Sequence, residues 1–159
     1  MITAFLAGHE TTAIALSWTL YLLSLNPGAE ASLRKTTKRD EAARRILAES
    51  MRLYPPIGRI GRRALCDVEI GGYDVPKDSI VFASPWVTQR DPRFFPDPLR
   101  FDPERWTPET ESERHRFSYF PFGGGVRQCI GEPLAWTVGT TVIATIVDGS
   151  TPCRSRRST

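Results

Sequence analysis

The residues best suited to chemistry lie between Tyr119 and Gly131, in the run YFPFGGGVRQCIG. Three successive glycines, Gly123 to Gly125, lead to Arg127, Cys129 and Gly131. An apolar segment opened by Pro133, EPLAWTVGTTVIATIV, follows. It is expected to be a helix, since proline suits a first turn. The thiol thus sits on a glycine-rich loop just ahead of a helix, where backbone N–H groups and the helix dipole favour a thiolate. Such a thiolate can be a nucleophile, a redox centre or a metal ligand.

Zinc and iron–sulfur centres need several Cys or His at short spacings. Cys66, Cys129 and Cys153 stand far apart, with two histidines. A single thiolate can hold iron when a porphyrin supplies the other ligands. Glycines let backbone lie close to a flat macrocycle. Arg127 could pair with a haem propionate, and Phe122 could cover the ring near the sulfur. A phosphate-cradling loop is the weaker reading, because no Gly-Lys-Ser/Thr follows the glycines.

Two further groups carry chemical potential. In AGHETT, Glu10 and Thr11 place an acid beside a hydroxyl in an otherwise apolar helix, next to the small Ala7 and Gly8. The plain reading is that Thr11 bonds back to the carbonyl of Ala7 while Glu10 reaches solvent. Glu49 and Arg52 are three apart, hence on one helix face and able to pair. An exposed pair of that kind is worth little.

Phe122, Gly125, Arg127, Cys129 and Gly131 fill every fixed position of F-x-x-G-x-R-x-C-x-G. Through them the chain resembles the cytochromes P-450, the haem-thiolate monooxygenases. Other stretches resemble motifs of that family, in the same order. AGHETT resembles its oxygen-binding groove, which implies a proton relay at Glu10 and proton delivery to dioxygen by Thr11, with His9 a spacer. ESMRLYPP resembles its E-x-x-R helix, and FDPERW its PERF/PERW element. That implies a buried structural network of Glu49, Arg52 and Arg105 that fixes the loop carrying Cys129. IGRRA offers Arg62 for a haem propionate, by spacing, with Arg59 and Arg63 nearby.

The resemblance implies haem b (iron protoporphyrin IX) bound through the Cys129 thiolate, with Phe122, Gly125, Arg127, Gly131 and Arg62 around it. The implied activity is insertion of one oxygen atom from dioxygen into a small organic substrate. Electrons would come from an external donor, a ferredoxin or a flavin reductase. Only the C-terminal portion of a typical member is matched, so a truncated form is expected. The alternative is a catalytically inactive fragment with weak or no haem binding, acting at most as an interaction module.

The elements that must position these residues follow from pattern. Residues 1–26 read as one helix, apolar nearly all round its second half and therefore expected to be buried there. Asn26-Pro27-Gly28 stops it. Residues 27–41 are polar and are expected to be a helix end and a solvated loop. A helix follows from about Glu41 to Tyr54, ended by Pro55-Pro56. Short strands are expected around Val68–Ile70 and Ile80–Phe82, with turns at Gly71-Gly72 and Pro76-Lys77-Asp78. The proline-rich stretch 91–118 would be disordered by composition alone. Phe94, Phe95, Phe101 and Trp106 argue instead for an irregular, packed segment. The expected fold is mainly α with a small antiparallel β-sheet (α+β), an incomplete P-450 fold. Residues 1–147 form a partial haem domain and residues 148–159 a disordered tail, with Cys153 an incidental thiol.

Composition sets the outer limits. The chain has 159 residues, enough for one domain with a core, and is 40% hydrophobic and 25% charged. Its net charge of +3 equals the three arginines of the tail, Arg154, Arg156 and Arg157, so no broad basic surface invites nucleic acid. An odd cysteine count without framework spacing argues against a disulfide scaffold and for a reducing compartment. No signal peptide is recognised, and the apolar run Ala13 to Leu25 is too short to span a bilayer. A soluble, cytoplasmic protein is expected.

Overall fold

The computed structural model describes residues 2–149, with side chains from residue 7 onward. Cys153 and the three tail arginines lie outside the described residues. Three long helices carry the core: α1 (Ile2–Leu25), α3 (Arg39–Leu53) and α6 (Glu132–Gly149). They pack against one another in all three pairings. Ala15 and Leu23 of α1, Ala43, Ile46, Leu47 and Met51 of α3, and Ile143 and Val147 of α6 form the main apolar cluster. An Arg39–Asp148 ion pair ties the start of α3 to the end of α6. At Gly139 of α6 an added Cβ would lie 2.5 Å from Cδ2 of Leu47, so the Leu47 side chain fills the space that the glycine leaves.

Burial in the second half of α1 is confined to one stripe. Ala15, Thr19, Leu22 and Leu23 are buried, whereas Trp18, Tyr21 and Leu25 are exposed. The expectation of burial all round therefore fails, because α3 and α6 cover only one side of α1. Trp18 instead stacks on Tyr54 just past α3, with ring centroids 4.1 Å apart.

The polar stretch after α1 is a helix, α2 (Pro27–Lys35), where a helix end and a loop were expected. Pro27 suits its first turn, Glu30 and Arg34 bond at 2.7 Å four residues apart, and basic Arg34 and Lys35 close it. Leu33 is its buried anchor in the core, with Ala29 packed beside it.

Four short strands follow: β1 (Ile60–Arg63), β2 (Val68–Ile70), β3 (Tyr73–Val75) and β4 (Ile80–Ala83). They form two separate antiparallel pairs, β1 with β4 and β2 with β3. In the first pair Ile60 faces Ala83 and Arg63 faces Ile80. The second is a hairpin turning on Gly71 and Gly72, both with positive φ as its tight turn requires. A one-turn helix, α4 (Pro85–Thr88), is capped by Ser84, whose hydroxyl accepts from Val87 N–H. The proline-rich stretch then winds through a 3-10 turn at Pro103–Arg105 and a short helix, α5 (Pro108–Glu113). Phe95 and Trp106 are buried against Ala48 of α3, so these aromatics do hold the segment down.

Candidate functional site

The loop before α6 is built from its glycines. Gly123 has φ 76° and donates its N–H to Phe120 O at 3.0 Å, closing a turn. Gly125, with φ 69°, opens a 3-10 turn over Gly125–Arg127, and Gln128 N–H returns to Gly125 O at 3.1 Å. Both positions lie in the left-handed region that side chains resist. Cys129 N–H then donates to Phe122 O at 3.0 Å, which ties the cysteine back to the start of the loop. Phe122 turns inward, its ring 5.6 Å from that of Trp136 on α6 and packed against the main core. Glu132, in the first turn of α6, accepts from Gln128 Nε2 at 2.6 Å and from Trp136 Nε1 at 3.2 Å.

The base of the loop is thus anchored while its rim faces outward. Cys129 and Arg127 are exposed, and Val126 and Ile130 are fully so, at 102% and 100%. Apolar side chains bared on both sides of a thiol fit a large apolar group seated on the sulfur. A Cβ on Gly131 would stand 3.8 Å from Cys129 Sγ, an ordinary contact distance, so position 131 lies directly beside the sulfur. Among the described residues no three His, Cys, Asp or Glu side chains gather as an ion site. One exposed thiol suits iron that brings its remaining ligands with it, as haem does.

Behind this loop lies a closed polar network. Glu49 and Arg52 are wholly buried on α3. Arg52 spends all five N–H groups. Nε and Nη2 reach the two Glu49 oxygens at 2.8 and 2.9 Å. The rest go to the carbonyls of Gln89, Pro98 and Arg100. Glu49 also accepts from Arg105 Nε at 3.1 Å, Asp102 N–H at 2.9 Å and Trp106 Nε1 at 2.9 Å. The structure therefore brings Glu49, Arg52 and Arg105 together.

Thr11 Oγ1 donates to Ala7 O at 2.7 Å, and Glu10 is exposed beside it. Gly8 faces open space. Among the described residues no hydrogen bond or ion pair joins Glu10 or Thr11 to the Cys129 loop. Arg62 stands exposed on β1, its Nη1 on Gly61 O at 2.8 Å. Its neighbours are otherwise engaged: Arg63 faces Asp78 at 3.8 Å, and Arg59 lies over the Phe82 ring.

Three residues of this architecture carried no sequence signal or a weak one. Gln89 is fully buried and bonds both to α3 and to Phe120. Tyr119 donates its hydroxyl to Ala48 O at 3.2 Å and packs on Trp106 at 4.4 Å. Burial, with the Glu49 carboxylate adding to it, pushes that phenol well above its ordinary value. Arg114 lies over Trp106 at 4.2 Å and donates to Arg105 O at 2.7 Å. Desolvation lowers its pKa. Trp106, expected as an aromatic anchor, also bonds Glu49 through its indole N–H; Gln89 has no pattern to betray it.

Comparison with known proteins agrees with this geometry. The sequence profile of the family described as cytochrome P450 matches residues 1–148. Cyclooctatin synthase of Streptomyces melanosporofaciens is 42% identical over 92% of the chain and 35% of its own length. Cyclooctat-9-en-7-ol 5-monooxygenase of the same organism is 36% identical, with the same two coverages. The crystal structure of a mutant cytochrome P450DA heme domain superposes with a TM-score of 0.85 at 32% identity, over 92% of this chain and 37% of that one. The chain spans about a third of the length of the relatives it matches. No helix among the described residues is long and apolar enough to cross a membrane.

Proposed function

The chain belongs to the cytochrome P450 family, and from that premise we propose that it holds haem b through the Cys129 thiolate in a haem-thiolate monooxygenase. The observation that carries the proposal is the Cys129 loop itself. Its backbone is bonded to Phe122 and its base is packed on Trp136, yet its thiol and two apolar neighbours face outward. When bound, the haem supplies the activation of dioxygen and its transfer into a C–H or C=C bond. A monooxygenase among the named relatives supports that reaction class.

The chain's own residues have separable tasks in this reading. Cys129 would hold the iron through its thiolate, a ligand that supplies electron density to the metal. Arg127 and Arg62, both exposed, neutralise the propionates. Gly125 and Gly131 leave room for the macrocycle, and Phe122 fixes the height of the loop from below. Glu10, exposed on α1, passes protons inward, and the Thr11 hydroxyl hands them on. The Thr11 bond to Ala7 O leaves the hydroxyl oxygen free to accept. Glu49, Arg52 and Arg105 hold the segment behind the loop. The substrate is a small organic molecule, and the electrons come from a ferredoxin or a flavin reductase.

The test is optical. The purified chain is titrated with haemin, reduced under carbon monoxide and scanned through the Soret region. A band at the wavelength that gives the family its name is expected, and it disappears in Cys129→Ala. An unchanged holoprotein spectrum in that variant would sink the assignment.

A further inference from the structure

We propose that Gln89 is a positioning residue for the Cys129 loop. Its side chain is fully buried and every polar atom is used. Nε2 donates to Met51 O at 3.0 Å and to Arg52 O at 3.1 Å, carbonyls in the last turn of α3 that lack helical partners. Oε1 accepts from Phe120 N–H at 3.0 Å. That is the only acceptor of the Phe120 amide among the described residues.

From Phe120 the path to the sulfur is short and made of backbone. Phe120 O takes Gly123 N–H, and Phe122 O takes Cys129 N–H. The peptide that starts this relay is therefore held to the last turn of α3 by the Gln89 amide, beside the bond of the Tyr119 hydroxyl to Ala48 O one turn earlier. Arg52 reinforces the seat by donating to Gln89 O at 2.8 Å. Side chain and main chain of Gln89 both meet Arg52, so the ion network and the loop share one hinge point. A buried amide is well suited to this, because two donors and an acceptor leave in fixed directions. Loss of any one of them strands a partner away from water.

The proposal takes its functional meaning from Cys129 as the iron ligand, but its test uses no haem, so the two can fail separately. Amide hydrogen exchange is measured on the full chain and on Gln89→Met and Gln89→Glu. In the unaltered chain the Phe120 amide should be protected although it lies in a loop. Gln89→Met keeps the length and removes all three bonds. Exchange at Phe120, Gly123 and Cys129 should then rise roughly tenfold, while amides of Leu47 and Ile143 change far less. Gln89→Glu in its protonated form, measured at acid pH, keeps an oxygen for Phe120 N–H and a donor for one α3 carbonyl, and should restore protection at that amide. Exchange at the free-peptide rate at Phe120 in the unaltered chain would overturn the proposal. So would an equal rise in loop and core in Gln89→Met, or a Glu variant that behaves like Met. Should neither variant fold, the Phe120 amide of the unaltered chain decides the matter alone.

Discussion

Arg52 and Glu49 bond twice, at 2.8 and 2.9 Å, on a turn of α3 from which solvent is wholly excluded. A surface pair at the same spacing would be worth a few tenths of a kcal/mol. Here the pair is the centre of a network, and removing one member leaves the other charged and buried. Glu49→Gln should cost roughly 3–5 kcal/mol, read as a fall in the urea midpoint. Arg105, at the rim with its side chain 12% exposed, can recover water when cut back. Arg105→Met should cost less, about 1–3 kcal/mol. Equal losses in the two variants would mean that burial does not grade this network.

Tyr119 predicts an alkaline limit. Its folded-state pKa is raised, so above about pH 10 the unfolded chain loses the phenolic proton while the folded chain keeps it. The unfolded state then binds fewer protons, and stability falls with rising pH. The fall reaches about 1.4 kcal/mol per pH unit for one such group. Below pH 10 the group contributes no slope. Denaturation curves of the native chain and Tyr119→Phe between pH 8 and 11 should therefore diverge in slope only at the alkaline end. Loss of the Ala48 bond adds a pH-independent cost of about 1 kcal/mol to the variant.

Two glycines should respond in opposite senses to alanine. Gly123 sits at φ 76°, with Ile60 Cδ1 3.5 Å from an added Cβ. Gly123→Ala should destabilise by about 1–2 kcal/mol through backbone strain. Gly8 lies inside α1 with nothing near an added Cβ. Gly8→Ala should stabilise by roughly 0.5–1 kcal/mol on thermal melting.

Thr11 separates a structural from a chemical role. Its bond to Ala7 O is local, so Thr11→Val should leave the melting temperature within a few degrees. In haem-loaded, fully assembled enzyme it should cut product formed per dioxygen consumed, while haem binding stays unchanged. Unaltered coupling would remove Thr11 from the proton path.

How much of this was legible depends on how local the cause was. The loop glycines and Cys129 obey a spacing rule that the backbone imposes within ten residues, and the resemblance followed from it. The Glu49–Arg52 pair is set by helix periodicity. Its burial is not, because that comes from carbonyls of Gln89, Pro98 and Arg100, far along the chain. Helix α2 shows no apolar stripe in the sequence, since only Leu33 and the small Ala29 reach the core. Strand β1 escaped because Ile60-Gly61-Arg62-Arg63 shows no alternation and three of its four residues are exposed. The bareness of Trp18 and Tyr21 could not be foreseen either, as it depends on where α3 and α6 stop covering α1. Gln89 is the extreme case: one amide in a loop, with all its meaning in what folds around it.

The notch where Gly139 meets Leu47 has a geometric corollary. A helix advances about 1.5 Å and turns about 100° for each residue it slips. A slip by one residue combines the two and would put Val138 or Thr140 where Gly139 stands, against the Leu47 side chain. Leu47 in that notch opposes sliding or rotation of α6 on α3, and the loop that carries Cys129 leads straight into this helix. A missing methyl group ten residues downstream thereby steadies the helix onto which the Cys129 loop runs.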